Sequence, residues 1–90
     1  MQATVEISLN PLSENYEQIV VEFIMRLKKY NGLRIDVNGL STQIFGDYDR
    51  IMDILKTEMK RVFENEKALF HLKLCSGLQL PEKVAPSLRT

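Results

Sequence analysis

The chain has one cysteine, one histidine and no surplus of charge, and each shortage removes a class of function. Cys75 has no second cysteine to pair with, so no internal disulfide forms, which suits a reducing compartment. Twelve basic and twelve acidic residues cancel, so the basic footprint of a nucleic-acid binder is missing. No apolar run approaches the roughly eighteen residues of a membrane span. The start of the chain alternates apolar and polar residues, unlike the continuous apolar run of a signal peptide. These shortages predict a cytoplasmic protein with no nucleic-acid partner and no membrane insertion.

The chain is equally short of catalytic and metal-binding patterns. His71 and Cys75 lie four residues apart, which on a strand is roughly 13 Å, too far for a nucleophile to meet its base. No CxxC, HxxxH or carboxylate cluster offers a metal site. No GxxxxGK[ST] run is present to cradle a phosphate. Asp47 and Asp49 read as helix-capping and dipole-compensating groups. The expectation is no enzyme, no catalytic residue, no metal and no cofactor.

What the sequence does have is clear periodicity. Ala3, Val5, Ile7 and Leu9 alternate with polar residues, a half-buried strand that Asn10-Pro11 stops. Ser13 is the expected N-cap of a helix. Its apolar stripe runs through Tyr16, Ile19, Val20, Phe23, Ile24, Leu27 and Tyr30 to a left-handed end at Asn31-Gly32. Leu33, Ile35 and Val37 alternate in a second strand. Asn38-Gly39 predicts a tight hairpin turn with both residues at positive φ, leading into a third strand from about Leu40 to Phe45. Asp47 caps a second amphipathic helix, and Ala68, Phe70, Leu72 and Leu74 alternate in a fourth strand. The order β-α-β-β-α-β predicts an α+β, ferredoxin-like fold, a four-stranded antiparallel sheet with two helices on one face. Residues 1–76 form the domain, and 77–90 are expected as a loosely ordered tail, with Leu78 and Leu80 available to a partner.

One sheet face is then left without helices, and it carries Glu6, Ser8, Asn38, Ser41, Gln43 and Phe45 beside Leu69, His71 and Cys75. An RNA-binding domain of this fold would need paired aromatics inside a basic surface, and Phe45 stands alone. Glu6 is unusual in mid-strand. It can pair across strands with Lys73 or His71, or accept from the edge of an aminopyrimidine. The uncovered face therefore has two readings, a small-molecule site or a structural oligomerisation and interaction module without a ligand.

The S-L-x-P-L run at Ser8 to Leu12 and the S-T-Q-x-F-G run at Ser41 to Gly46, in this element order, resemble the YkoF-type thiamine-binding protein family. The resemblance spans roughly residues 1–76. It implies ferredoxin-like domains that bind thiamine or its hydroxymethylpyrimidine portion in uptake or salvage of thiamine precursors. It also implies assembly as a homodimer or homotetramer through the sheet. Carried over residue by residue, it implies a ligand site of Glu6, Ser8, Asn38, Ser41, Thr42, Gln43 and Phe45, with the ring of Phe45 as an apolar wall. Where the family carries an aromatic in the first motif this chain has Asn10, so no stacking ring comes from that position. Strict alternation turns Thr42 toward the helices, so its place in this site calls for a bulge or a local hairpin cap.

Overall fold

The computed structural model describes residues 1–83. Along the chain these form β1 (Gln2–Pro11), α1 (Tyr16–Lys28), β2 (Arg34–Val37), β3 (Thr42–Asp47), α2 (Tyr48–Asn65) and β4 (Ala68–Ser76), followed by a single 3-10 turn at Pro81–Lys83. The strands make one antiparallel sheet in the order β2-β3-β1-β4. This is the expected ferredoxin-like α+β fold, with β1 between β3 and β4.

Period-two alternation decides which face the helices cover. Val5, Ile7 and Leu9 of β1 and Ile44 of β3 share one face, and they are buried together with Ile19, Phe23 and Leu27 of α1 and Ile51, Ile54, Leu55 and Val62 of α2. Both helices therefore lie on that side. A fully buried Ile, Leu or Phe stabilises by about 1.5–3 kcal/mol, so this single cluster carries most of what holds so short a chain together. Phe70 extends it from β4, tilted against Phe23 with ring centroids 5.4 Å apart and edge-on to Phe63 at 5.3 Å.

Between the helices sits a buried carboxylate. Glu58 of α2 accepts from Arg26 Nε at 2.8 Å, from the Tyr30 hydroxyl at 2.7 Å and from Arg61 Nε at 3.2 Å. Burial alone would raise its pKa. The Tyr30 hydrogen bond and the two guanidinium groups outweigh that and hold it below the ordinary glutamate value. Tyr30 is pushed the other way, chiefly by the same hydrogen bond.

Three local features differ from the sequence expectation. First, Asn15 and not Ser13 holds the N-cap of α1, and it makes no side-chain cap bond, because the Ser13 hydroxyl donates to Asn15 Oδ1 and engages both caps. Second, α1 ends at Lys28 with a right-handed C-cap at Lys29. The positive φ of 84° belongs to Gly32, in the connection that follows. Arg50 of α2 fixes that connection by donating to the Asn31 carbonyl at 2.6 and 3.0 Å. Third, β2 and β3 are not joined by a two-residue turn. Neither Asn38 nor Gly39 has positive φ, and β3 starts at Thr42. The Asn38 side chain accepts from the backbone N–H groups of Leu40 and Ser41 at 2.8 and 3.0 Å, and its own N–H donates to the Ser41 carbonyl. An asparagine that bonds its own loop offers the backbone an alternative to the tight turn. At the start of α2 the expected cap is present, with Asp47 accepting from the Arg50 N–H.

The segment after β4 crosses the helix-free face. The Thr4 hydroxyl donates to the Gly77 carbonyl at 2.9 Å and accepts from the Gln79 N–H at 2.8 Å. Farther on, Glu82 pairs with Arg34 on β2. Leu78 and Leu80 are half-buried. The rest of the expected tail lies outside the described residues. Among the described residues no helix is long and apolar enough to cross a membrane.

Candidate functional site

The residues singled out in the sequence fall into two groups. Glu6, Gln43 and Phe45 lie on the helix-free face in continuous register, with Glu6 opposite Gln43 and Thr4 opposite Phe45. Glu6 faces Lys73 on its other side at 3.8 Å, a loose and largely solvated pair. Phe45 is no open wall. It occupies the middle of the row Thr4–Phe45–Arg34. The segment from Gly77 to Glu82 is bonded to both ends of that row, and Phe45 is 3% exposed. The Arg34 guanidinium, held by Asp36 and Glu82, sits 5.4 Å from the ring centroid. A ring closed over in this way cannot offer a face to a ligand, so Phe45 is a structural residue here.

Ser8, Asn38, Ser41 and Thr42 make the second group, and these the fold brings together. They line a cleft of about 430 Å³ between the end of β1, the start of α1 and the β2–β3 loop. That volume is within the range of small-molecule sites, about 300–1,000 Å³. Thr42 enters it without a bulge. It pairs with Val37 on one side and Ile7 on the other in unbroken register. Alternation turns it to the helix side, where the cleft is. It is 5% exposed, and no hydrogen bond engages its hydroxyl among the described residues.

The remaining lining comes from residues that the sequence reading placed in the core stripe or passed over. Ile7 and Leu9 supply the buried floor, and Val20 and Ile24 of α1 a half-buried wall. Tyr16, Glu17 and Val21 of α1 and Leu40 of the loop form an exposed rim. A signal for this was present. Val21 and Tyr16 widen the apolar stripe of α1 past the arc a sheet can cover, and both remain more than half exposed. The loop polar groups are partly committed. Asn38 Oδ1 is taken by two backbone N–H groups, which leaves its NH₂ free to donate. The Ser8 hydroxyl donates to the Leu40 carbonyl at 3.2 Å and keeps its lone pairs. The cleft is thus an apolar slot with donors and acceptors along one edge, suited to a flat ring with polar edge groups.

His71 and Cys75 are exposed on β4, opposite Ser8 and Thr4 respectively, with three strand residues between them and no place in the cleft lining.

No protein-family model matches the chain, and no curated protein matches its sequence. Solved structures do match its fold. A Thermotoga maritima protein provisionally assigned to thiamine biosynthesis or salvage superposes with a TM-score of 0.81 at 20% identity, over 93% of this chain and 96% of that one. A domain of unknown function (DUF77) from Bacillus cereus gives 0.74 at 21% identity, over 93% and 88%. A hypothetical protein from Methanocaldococcus jannaschii gives 0.73 at 23%, over 92% and 88%. At such identities the likeness establishes the shared fold across nearly the whole of each chain.

Proposed function

We propose that this protein is a non-enzymatic binding protein of the YkoF-type thiamine-binding family, taking thiamine or its hydroxymethylpyrimidine portion in the cleft between β1, α1 and the β2–β3 loop. The observation that carries the reading is the Thr42 hydroxyl, which has no hydrogen-bond partner among the described residues and lines an apolar slot of ligand size. A hydroxyl with no protein partner keeps both its donor and its acceptor capacity for a ligand that enters the slot. An aminopyrimidine presents an exocyclic amine beside a ring nitrogen, one donor and one acceptor. Thr42 can serve either, the Asn38 NH₂ can donate, and the Ile7, Val20 and Ile24 side chains can enclose the ring faces. The fold shared with a protein provisionally assigned to thiamine biosynthesis or salvage supports the same ligand class. The site then moves from the helix-free face to the helix side, keeping Ser8, Asn38, Ser41 and Thr42 and releasing Glu6, Gln43 and Phe45.

Isothermal titration with thiamine and with hydroxymethylpyrimidine tests this. Saturable binding to both is expected, abolished when Val20→Trp fills the slot. Flat traces for both at millimolar concentration overturn it.

A second copy of the chain is the partner we propose for β4. That strand is an edge of the sheet and exposes Leu69, Leu72 and Leu74. An edge with unpaired backbone groups and uncovered leucines readily adds another strand. Sedimentation at micromolar concentration should give a dimer or tetramer. A monomer removes this part alone.

A further inference from the structure

We infer that the cleft selects the unphosphorylated, cationic form of its ligand and rejects phosphate esters, with Glu17 as the discriminating residue. The inference rests on the proposed thiamine site and specifies its charge preference.

The charge distribution of the lining carries the argument. Among the described residues Glu17 is the one charged side chain that lines the cleft, with no Lys, Arg or His beside it. It stands in the first turn of α1, at the mouth, with the Tyr16 hydroxyl 3.4 Å from its Oε1. The start of a helix would ordinarily welcome a phosphate through its free N–H groups and dipole. Here the carboxylate already occupies that end and repels a second anion. Among the described residues the basic groups lie outside the cleft lining. Arg34 is forked between Asp36 and Glu82 on the helix-free face, and Lys73 lies beside Glu6 on that same face. On α1 the basic residues of the last turn, Arg26 and Lys28, are at the opposite end of the helix from Glu17.

Thiamine fits this pattern in two parts. With the pyrimidine in the slot, the positively charged thiazolium projects toward the mouth. There it meets the Glu17 carboxylate and the ring of Tyr16, an anion and a π-face that both attract a cation. A phosphate on the hydroxyethyl arm would carry its negative charge to the same place, where the described residues offer no counter-ion.

Titration of the wild-type chain with thiamine, thiamine monophosphate, thiamine pyrophosphate and neutral hydroxymethylpyrimidine, repeated on Glu17→Gln, decides the matter. Wild type should bind thiamine about tenfold more tightly than either ester. Glu17→Gln should weaken thiamine about fivefold, leave hydroxymethylpyrimidine unchanged and narrow the gap to the esters. Glu17 is exposed, so its replacement should leave the melting curve in place. Esters that bind as tightly as thiamine, or a gap that Glu17→Gln leaves intact, overturn the inference while the thiamine reading stands. Loss of binding by thiamine and hydroxymethylpyrimidine alike in wild type defeats that reading, and this inference with it.

Discussion

The Tyr30 hydroxyl reaches across from the end of the first helix to Glu58 Oε2, 2.7 Å away, and meets there two guanidinium groups bound to the other oxygen. The buried carboxylate is therefore satisfied on both oxygens, and the packing of α1 on α2 depends on its charge. Glu58→Gln keeps the shape but weakens each of these contacts. Breaking a buried, hydrogen-bonded pair costs about 3–5 kcal/mol. Arg61 is half-exposed and Arg26 about a quarter exposed, so solvent screens part of that loss. A reduction of about 2 kcal/mol is expected in urea unfolding, with the midpoint lowered and the slope unchanged.

The same cluster should limit stability at both ends of the pH scale. Glu58 has its pKa lowered in the folded state. Its contribution is full above the unfolded value of about 4.3 and disappears as pH falls through the lower folded value. Tyr30 has its pKa raised. Its contribution is full below about pH 10 and disappears as pH rises through the higher folded value. Melting temperature against pH should therefore be flat between these limits with respect to this cluster. In Glu58→Gln the falls at both ends should be shallower.

Thr42→Val separates binding from stability. The hydroxyl makes no bond within the described chain, so the variant should unfold within about 0.5 kcal/mol of wild type. Binding of hydroxymethylpyrimidine should weaken by about tenfold, the worth of one hydrogen bond in a buried site. Gln43→Ala, on the other face, should leave binding unaltered. The reverse pattern would return the site to the helix-free face.

Thr4→Val removes the two hydrogen bonds that hold Gly77 and Gln79. Two such bonds contribute about 1–3 kcal/mol. Amide exchange at Gln79 should rise sharply, and exchange in β1 and β3 should rise little. Unchanged protection at Gln79 would mean that the half-buried Leu78 and Leu80 hold the segment unaided.

The architecture could be read from the sequence because β1, α1 and α2 each carry a strong single period, and because a sheet and two amphipathic helices have few ways to hide their apolar sides. What periodicity could not supply was the chemistry of irregular backbone. The Asn38 side chain bonds within its own loop, and nothing in the pair Asn38-Gly39 distinguishes that from a tight turn. The candidate site was half legible for a related reason. Alternation placed Thr42 on the helix side correctly, and the cleft proved to be there too. Phe45 was also assigned to the right face. Its burial comes from a segment more than thirty positions later, with Gly77 bonding to Thr4 at a chain separation of 73, and no local pattern reports such a return.

The central position of β1 has a consequence for the life of the chain before it is complete. Ala3 must wait for Ser76, and Pro11 for Ala68, before the sheet can close on that side. A nascent chain leaving the ribosome can form α1 and the β1–β3 pairing early, yet the strand on the other side of β1 is made only after α2. Contacts of such long sequence separation slow folding, and until β4 arrives one side of β1 stands open to any other strand in the cell.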